Sequence, residues 1–273
     1  MADRPSGAGD APGAADRAAA KAAVVVSCEH GGRAVPDEYR ALFAGAAAER
    51  LLASHRAYDD GAAEVAAALA RRVGAPLFVG GTTRLLVDLN RSIGHPRLFS
   101  ELTRRLSADE RAELVERHYR PYRDAVERAV ASAARRGPVL HVSAHTFTPV
   151  LDGSERRADV ALLFDPRRAG EARFAAAWRD ALRLSLPADF VVRRNYPYRG
   201  VSDGFTTHLR KRFPDGVYCG VELEVNQRHV HGPQWPAHVD ALAASLERAL
   251  ADGPTAPARA RGAASRRRRQ AKP

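Results

Sequence analysis

The 273-residue sequence predicts an α/β protein, a three-layer α/β/α sandwich around a mixed, mostly parallel sheet. Three observations lead there. Short β-branched apolar runs alternate with segments of helical periodicity from residue 22 to residue 252. The 45% hydrophobic content suffices for a sizeable core. No internal repeat or interdomain linker interrupts that stretch, so 22–252 reads as one domain. Its flanks differ in kind: residues 1–21, rich in Ala, Gly, Pro and Asp without periodicity, read as a disordered lead, and 253–273 as a disordered basic tail.

The first strand starts at Ala22 and carries the run Val24-Val25-Val26. Helical stretches follow over about 37–54 and 60–72, the second with Ala63, Val65, Ala66 and Leu69 at helical spacing. "APLFVGG" and "RLLVDLNRS" read as two short strands. Ser107 with Glu110 three residues on is a capping-box spacing that opens a long amphipathic helix to about Arg135. "PVLHVSAHTFTPVL" and "ADVALLFDP" are further strands. Arg168 to Leu184 is a helix, "DFVVRRNYPYRG" returns to strand and turn, "VYCGVELEVNQ" is a strand by alternation, and a helix over Trp235–Leu250 closes the domain.

Composition narrows the function classes. No apolar window approaches the roughly 20 residues of a membrane span, and the N-terminus lacks a signal-peptide core, which predicts a cytoplasmic protein. Cys28 and Cys219, the only cysteines, allow neither a disulfide framework nor a four-thiolate zinc site. Any metal must therefore be held by imidazole and carboxylate. Of the formal charge of +11, seven units lie after Gly253, leaving +4 for everything before it. Arginine supplies 40 of the 43 basic residues, a compositional skew that lowers the meaning of any single one.

The polar residues fall in a pattern. "VVVSCEHGG" ends an apolar strand in Cys28, Glu29 and His30, and open α/β sheets keep their ligand sites at strand ends. In "VYCGVELEVNQ" alternation sets Val217, Cys219, Val221, Leu223 and Val225 on one face and Tyr218, Glu222, Glu224 and Asn226 on the other. Two partly buried carboxylates side by side raise one pKa unless a cation neutralises them; a solvated edge strand is the alternative. In "RLLVDLNRS", Asn90 and Arg91 form a carboxylate receiver, with Asp88 beside them as a candidate for structural salt bridging. His141, Ser143 and His145 share a face of their strand. His30, His145 and an aspartate from the pair Asp59-Asp60 would make a zinc site with a position open to water. Two nucleophile readings compete with it. Cys28 beside His30, with Glu29 pointing away, fits a core cysteine better, and Ser143 with His145 lacks a nucleophile-elbow motif.

These residues in this order resemble the N-formylglutamate amidohydrolase (N-formylglutamate deformylase) family. The segments that carry the resemblance are "VSCEHGGRAVP", "SHRAYDDGA", "TTRLLVDLNRS", "YRPYR", "LHVSAHTFTP", "ADVALLFDPRR", "RRNYPYRGVSDGFTTHLR" and "GVELEVNQ", from Val24 to Gln227. That family is itself similar, at a distance, to the zinc carboxypeptidases and aspartoacylase, with a phosphorylase/hydrolase-like fold. The resemblance implies a zinc-dependent hydrolase (one Zn2+) that cleaves N-formyl-L-glutamate, or a similar N-acyl amino acid, to formate and the free amino acid. It implies His30 and His145 as metal ligands, Glu224 as general base, and Asn90 with Arg91 as receivers of the substrate carboxylate. Arg84 would clamp the developing oxyanion, and Tyr198 and Arg199, with Tyr196 and Asp203 nearby, would shape the substrate pocket. The carboxypeptidases place a ligand acid three residues after their first histidine, where this chain has Arg33. Asp59 is therefore chosen as the carboxylate ligand, with Asp60 and Glu29 as alternatives. The Cys28-Glu29 pair also departs from the Pro-His start of typical deformylases. Two other functions are carried beside this one: a zinc hydrolase of another N-acyl amino acid or short peptide, and a polyanion-binding protein that contacts nucleic acid nonspecifically through "ASRRRRQAKP".

Overall fold

The computed structural model describes residues 22–251. The lead over 1–21 and the basic tail over 253–273, with the polyanion-binding reading that rests on it, lie outside the described residues. Six strands form one sheet in the order β2-β1-β3-β8-β6-β7. Strands β1 (Ala23–Cys28), β2 (Leu77–Val79), β3 (Val139–Phe147) and β8 (Tyr218–Asn226) run parallel. Strand β6 (Val160–Leu163) is antiparallel to β8 and parallel to β7 (Val192–Arg194), so the sheet is mixed and mostly parallel. A small hairpin, β4 (Val150–Leu151) with β5 (Ser154–Glu155), stands apart.

The sheet has two unlike faces. Val26, Cys28, Leu140, Val142, Ala144, Val221, Leu223 and Val225 pack in the largest core, under helices α2 (Ala62–Val73), α5 (Ala169–Ser185) and α7 (Trp235–Ala251). On the opposite face Val25, Val139 and Tyr218 meet α4 (Arg120–Ala134) and α6 (Phe205–Arg212) in a smaller cluster. Toward the carboxyl ends of β3 and β8 that second face turns polar, with Ser143, His145, Glu222 and Glu224 in place of hydrocarbon. The three-layer α/β/α architecture follows from these two coverings.

One alternative falls, and three local expectations need correction. Every residue of β8 is buried, so its paired carboxylates lie on a central strand and the solvated-edge alternative is excluded. "RLLVDLNRS" is a chain of turns: Leu86 N–H donates to Thr83, Arg91 N–H to Asp88, and Asp88 N–H to Leu98. Its consecutive buried residues Leu85, Leu86 and Val87 serve a separate core with Phe43, Leu98, Leu114 and Tyr119, which needs no strand alternation. The 37–54 stretch splits at Gly45 (φ 92°) into a 3-10 turn and helix α1 (Ala46–Leu52). The helix opened by the Ser107 capping box divides into α3 (Ala108–Leu114) and α4 around one π-type turn at Val115–Tyr119, just before Pro121, which has no N–H to donate.

Gly32, two residues after His30, and Gly80 answer to backbone contact. A Cβ on Gly32 would lie 2.1 Å from the carbonyl oxygen of Gly81, and one on Gly80 would lie 2.4 Å from that of Glu29. The loops leaving β1 and β2 thus touch main chain to main chain, and this contact seats Glu29 and His30. Gly32→Ala should push the loops apart and cost about 1–3 kcal/mol, read by chemical denaturation. A stability equal to that of the wild type would contradict the close-approach account.

Candidate active site

Five chain segments meet at the carboxyl ends of the central strands. The β1–β3 pairing ends at Ser27 opposite Ser143, and beyond Cys28 the chain leaves the strand as a turn carrying Glu29 and His30. Asp59 N–H donates to the His30 carbonyl, tying the segment before α2 to that turn, and Arg84 N–H donates to the Ala57 carbonyl. The parallel register of β3 and β8 sets Ser143 opposite Glu222 and His145 opposite Glu224. Residues distant in sequence are thereby fixed by main-chain bonds before any side chain is considered.

The two imidazoles are held alike. His30 Nδ1 lies 3.4 Å and His145 Nδ1 2.8 Å from Asp59 Oδ2. Their Nε2 atoms face other carboxylates, Asp88 Oδ1 at 2.7 Å for His30 and Glu29 Oε2 at 3.1 Å for His145. Ligand atoms of His30, Asp59 and His145 all lie within 4.8 Å of one another, and all three residues are buried. A carboxylate behind each Nε2 favours an N–H there and leaves the Nδ1 lone pairs turned inward. Arg84 closes the arrangement, with one terminal nitrogen 3.1 Å from Asp59 Oδ1 and the other 3.1 Å from Asp88 Oδ2.

The electrostatics follow from burial and charge. Burial opposes ionisation of Asp59 and Asp88, yet the His30 and Arg84 charges hold both carboxyls well below their usual range. Glu29 is likewise held low against its burial, by the hydrogen bond and charge of His145. His145 is pushed up despite burial by its bonds to Asp59 and Glu29. Glu224 goes the other way: burial, with the nearby Asp59 and Glu222 carboxylates, raises it to about 8 against His145 and Arg84. Its Oε2 is buried without a hydrogen-bond partner among the described residues, although Glu222 next to it accepts from the Thr206 hydroxyl. A divalent cation fits this set: two imidazole nitrogens and a carboxylate oxygen converge, and a buried carboxylate oxygen waits unpaired beside them. The same cluster could hold a metal of another identity.

A cleft of about 840 Å³ opens over the cluster, lined by His30, Asp59, Arg84, His145 and Glu224 among others. Asn90, Arg91, Tyr198 and Arg199 also line it. Asn90 is tied down through Oδ1, which accepts from Phe205 N–H. Arg91 donates to the Asp203 carbonyl, while its Nε is buried without an acceptor among the described residues. The Tyr198 hydroxyl accepts from Arg156, and Arg199 is exposed at the rim. Asp60 turns outward to His231 at 2.8 Å, and it does not join the cluster. Cys28 is buried in the main core, where burial pushes its thiol well up.

One sequence reading needs revision and another holds. Glu29 does not point away, because the strand ends at Cys28 and alternation no longer governs the next residue. Ser143, His145 and Asp59 do form a hydrogen-bonded series, with Ser143 Oγ 3.0 Å from His145 Nε2. The serine is fully buried, does not line the cleft, and donates its proton to Glu29, so it is unavailable as a nucleophile. Sequence reasoning also missed Tyr122, which donates to Glu29 at 3.2 Å; its place in "YRPYR" gave no chemical signal.

Two outcomes test this geometry. Asp88→Asn should weaken divalent-metal binding about 10–100-fold by removing the negative charge behind the His30 ring, measured by competition with a chelator. Unchanged affinity would remove Asp88 from that role. The Glu224 carboxyl, at about 8 in the fold against an ordinary 4.5, binds its proton more tightly when folded. Its contribution to the metal-free protein is therefore full below the ordinary value and is lost as pH rises toward 8. Glu224→Gln should raise the Tm of the metal-free protein at pH 8 and leave it nearly unchanged at pH 4; equal shifts at both would contradict the assignment.

The sequence profile of N-formylglutamate amidohydrolase matches residues 22–230. No curated protein sequence matches the chain. Among solved structures, gene product Atu2144 from Agrobacterium tumefaciens is 30% identical with a TM-score of 0.70, over 86% of this chain and 93% of that one. An N-formylglutamate amidohydrolase from Ralstonia eutropha JMP134, 20% identical with a TM-score of 0.66 over 85% and 94% of the two chains, shares the fold. This chain therefore belongs to the N-formylglutamate amidohydrolase family and is a hydrolase acting on amide bonds.

Proposed function

We propose that this chain is a zinc-dependent amidohydrolase that releases formate from N-formyl-L-glutamate, leaving the free amino acid. The observation that carries the reading is the convergence of His30, Asp59 and His145 beside Glu224 and its unpaired buried oxygen. His30, Asp59 and His145 would hold the zinc, which would supply the Lewis acidity that makes water nucleophilic near neutral pH. Glu224, opposite His145 in the sheet register, takes the water's proton at its free oxygen and returns it to the leaving amine. Arg84 spends one N–H of each terminal nitrogen on Asp59 and Asp88, and the N–H that remains on each is assigned to the developing oxyanion. Arg91, with its unsatisfied Nε, and Asn90 receive the substrate carboxylate. Tyr198 and Arg199 line the part of the cleft that would hold the rest of the substrate. The buried, free state of Cys28 and Cys219 agrees with a cytoplasmic enzyme.

The volume of the cleft favours a second reading within the same chemistry. About 840 Å³ lies high in the range of roughly 300–1,000 Å³ that accommodates drug-sized ligands, more room than one formylated amino acid fills. Another N-acyl amino acid or a short peptide would use it better.

The deciding experiment measures formate release from N-formyl-L-glutamate by protein stripped with a chelator and reloaded with zinc. Activity that disappears and returns supports the proposal; stoichiometric zinc without turnover moves the substrate to another N-acyl amino acid. Glu224→Gln should keep its zinc and lose about 100- to 10,000-fold in kcat. Full activity in that variant would remove Glu224 as the base.

A further inference from the structure

We infer that Glu29 is a positioning residue for His145, a buried counter-charge that locks the imidazole with Nδ1 turned toward the metal. The inference rests on the metal reading above. Glu29 is 1% exposed and does not line the cleft, so it touches neither substrate nor water there. Its Oε2 lies 3.1 Å from His145 Nε2 and accepts from the Ser143 hydroxyl, while the Tyr122 hydroxyl on α4 shares its proton between Glu29 Oε1 at 3.2 Å and the Phe78 carbonyl at 3.3 Å. An ionised carboxylate only accepts, so the His145 Nε2 that faces it at 3.1 Å is held as an N–H.

The two carboxylates behind the imidazoles are not equivalent. Asp88 divides its charge between His30 and Arg84. Among the described residues no arginine or lysine lies within ion-pair distance of Glu29; its only ionic contact is His145. Its field is thus directed at a single ligand, making that nitrogen a stronger donor.

The backbone explains how Glu29 reaches this place. Strand β1 stops at Cys28, and the close approach of Gly80 to the Glu29 carbonyl holds the turn against β2. Ser143 and His145 then share the face of β3 that the side chain meets.

The test compares zinc affinity, by chelator competition, in the full-length wild type, Glu29→Gln, Tyr122→Phe and the double variant. Glu29→Gln should raise the zinc dissociation constant about 10–100-fold, and Tyr122→Phe should raise it less. The double variant should bind no worse than Glu29→Gln alone, because the tyrosine acts only through the glutamate. Additive losses, or wild-type affinity in Glu29→Gln, would overturn the inference while leaving the metal reading intact. Zinc-free wild type that takes up no zinc would overturn both. If Glu29→Gln does not fold, Tyr122→Phe alone carries the test, and an unchanged affinity there overturns the inference.

Discussion

Buried carboxylates repel one another unless cations stand between them, and this fold gathers five: Glu29, Asp59, Asp88, Glu222 and Glu224. They surround two imidazoles and one guanidinium within a few side-chain lengths. Each carboxylate but one has an assigned partner. Asp59 faces both rings and Arg84, Asp88 serves His30 and Arg84, Glu29 serves His145, and Glu222 takes the Thr206 hydroxyl. Glu224 is left with a bare buried oxygen and a raised pKa. Such an imbalance destabilises a fold that has no use for it, and it is what a cation-dependent hydrolytic site requires.

The scaffold tolerates this charge because it is rigid where the charge sits. The parallel ladder between β3 and β8 fixes His145 and Glu224 as neighbours, and the glycine contacts between the β1 and β2 loops fix Glu29 and His30. On the other face of the same strands the largest apolar core supplies the compensating burial. The candidate site and the largest core thus occupy opposite faces of one sheet, divided by the period-two alternation of its strands.

That alternation is also why much of the site was legible in the sequence. His141, Ser143 and His145, and Tyr218, Glu222 and Glu224, fall on shared faces as their spacing requires. The capping box at Ser107 is present with both its hydrogen bonds. Reading failed where strand periodicity stops. Glu29 lies one residue beyond β1, so its direction is set by a turn, and "RLLVDLNRS" folds as turns around a separate core. Tyr122 could not have been found, since a tyrosine on a helix carries no sign of the carboxylate it will meet across the fold.

X-ray absorption at the zinc edge of the metal-loaded protein tests the central claim most directly, because it reads the ligands of the ion itself. The account predicts one zinc per chain with two imidazole nitrogens and oxygen ligands, at about 2.0–2.2 Å. A sulfur ligand near 2.3 Å, or a spectrum without imidazole scattering, would contradict it.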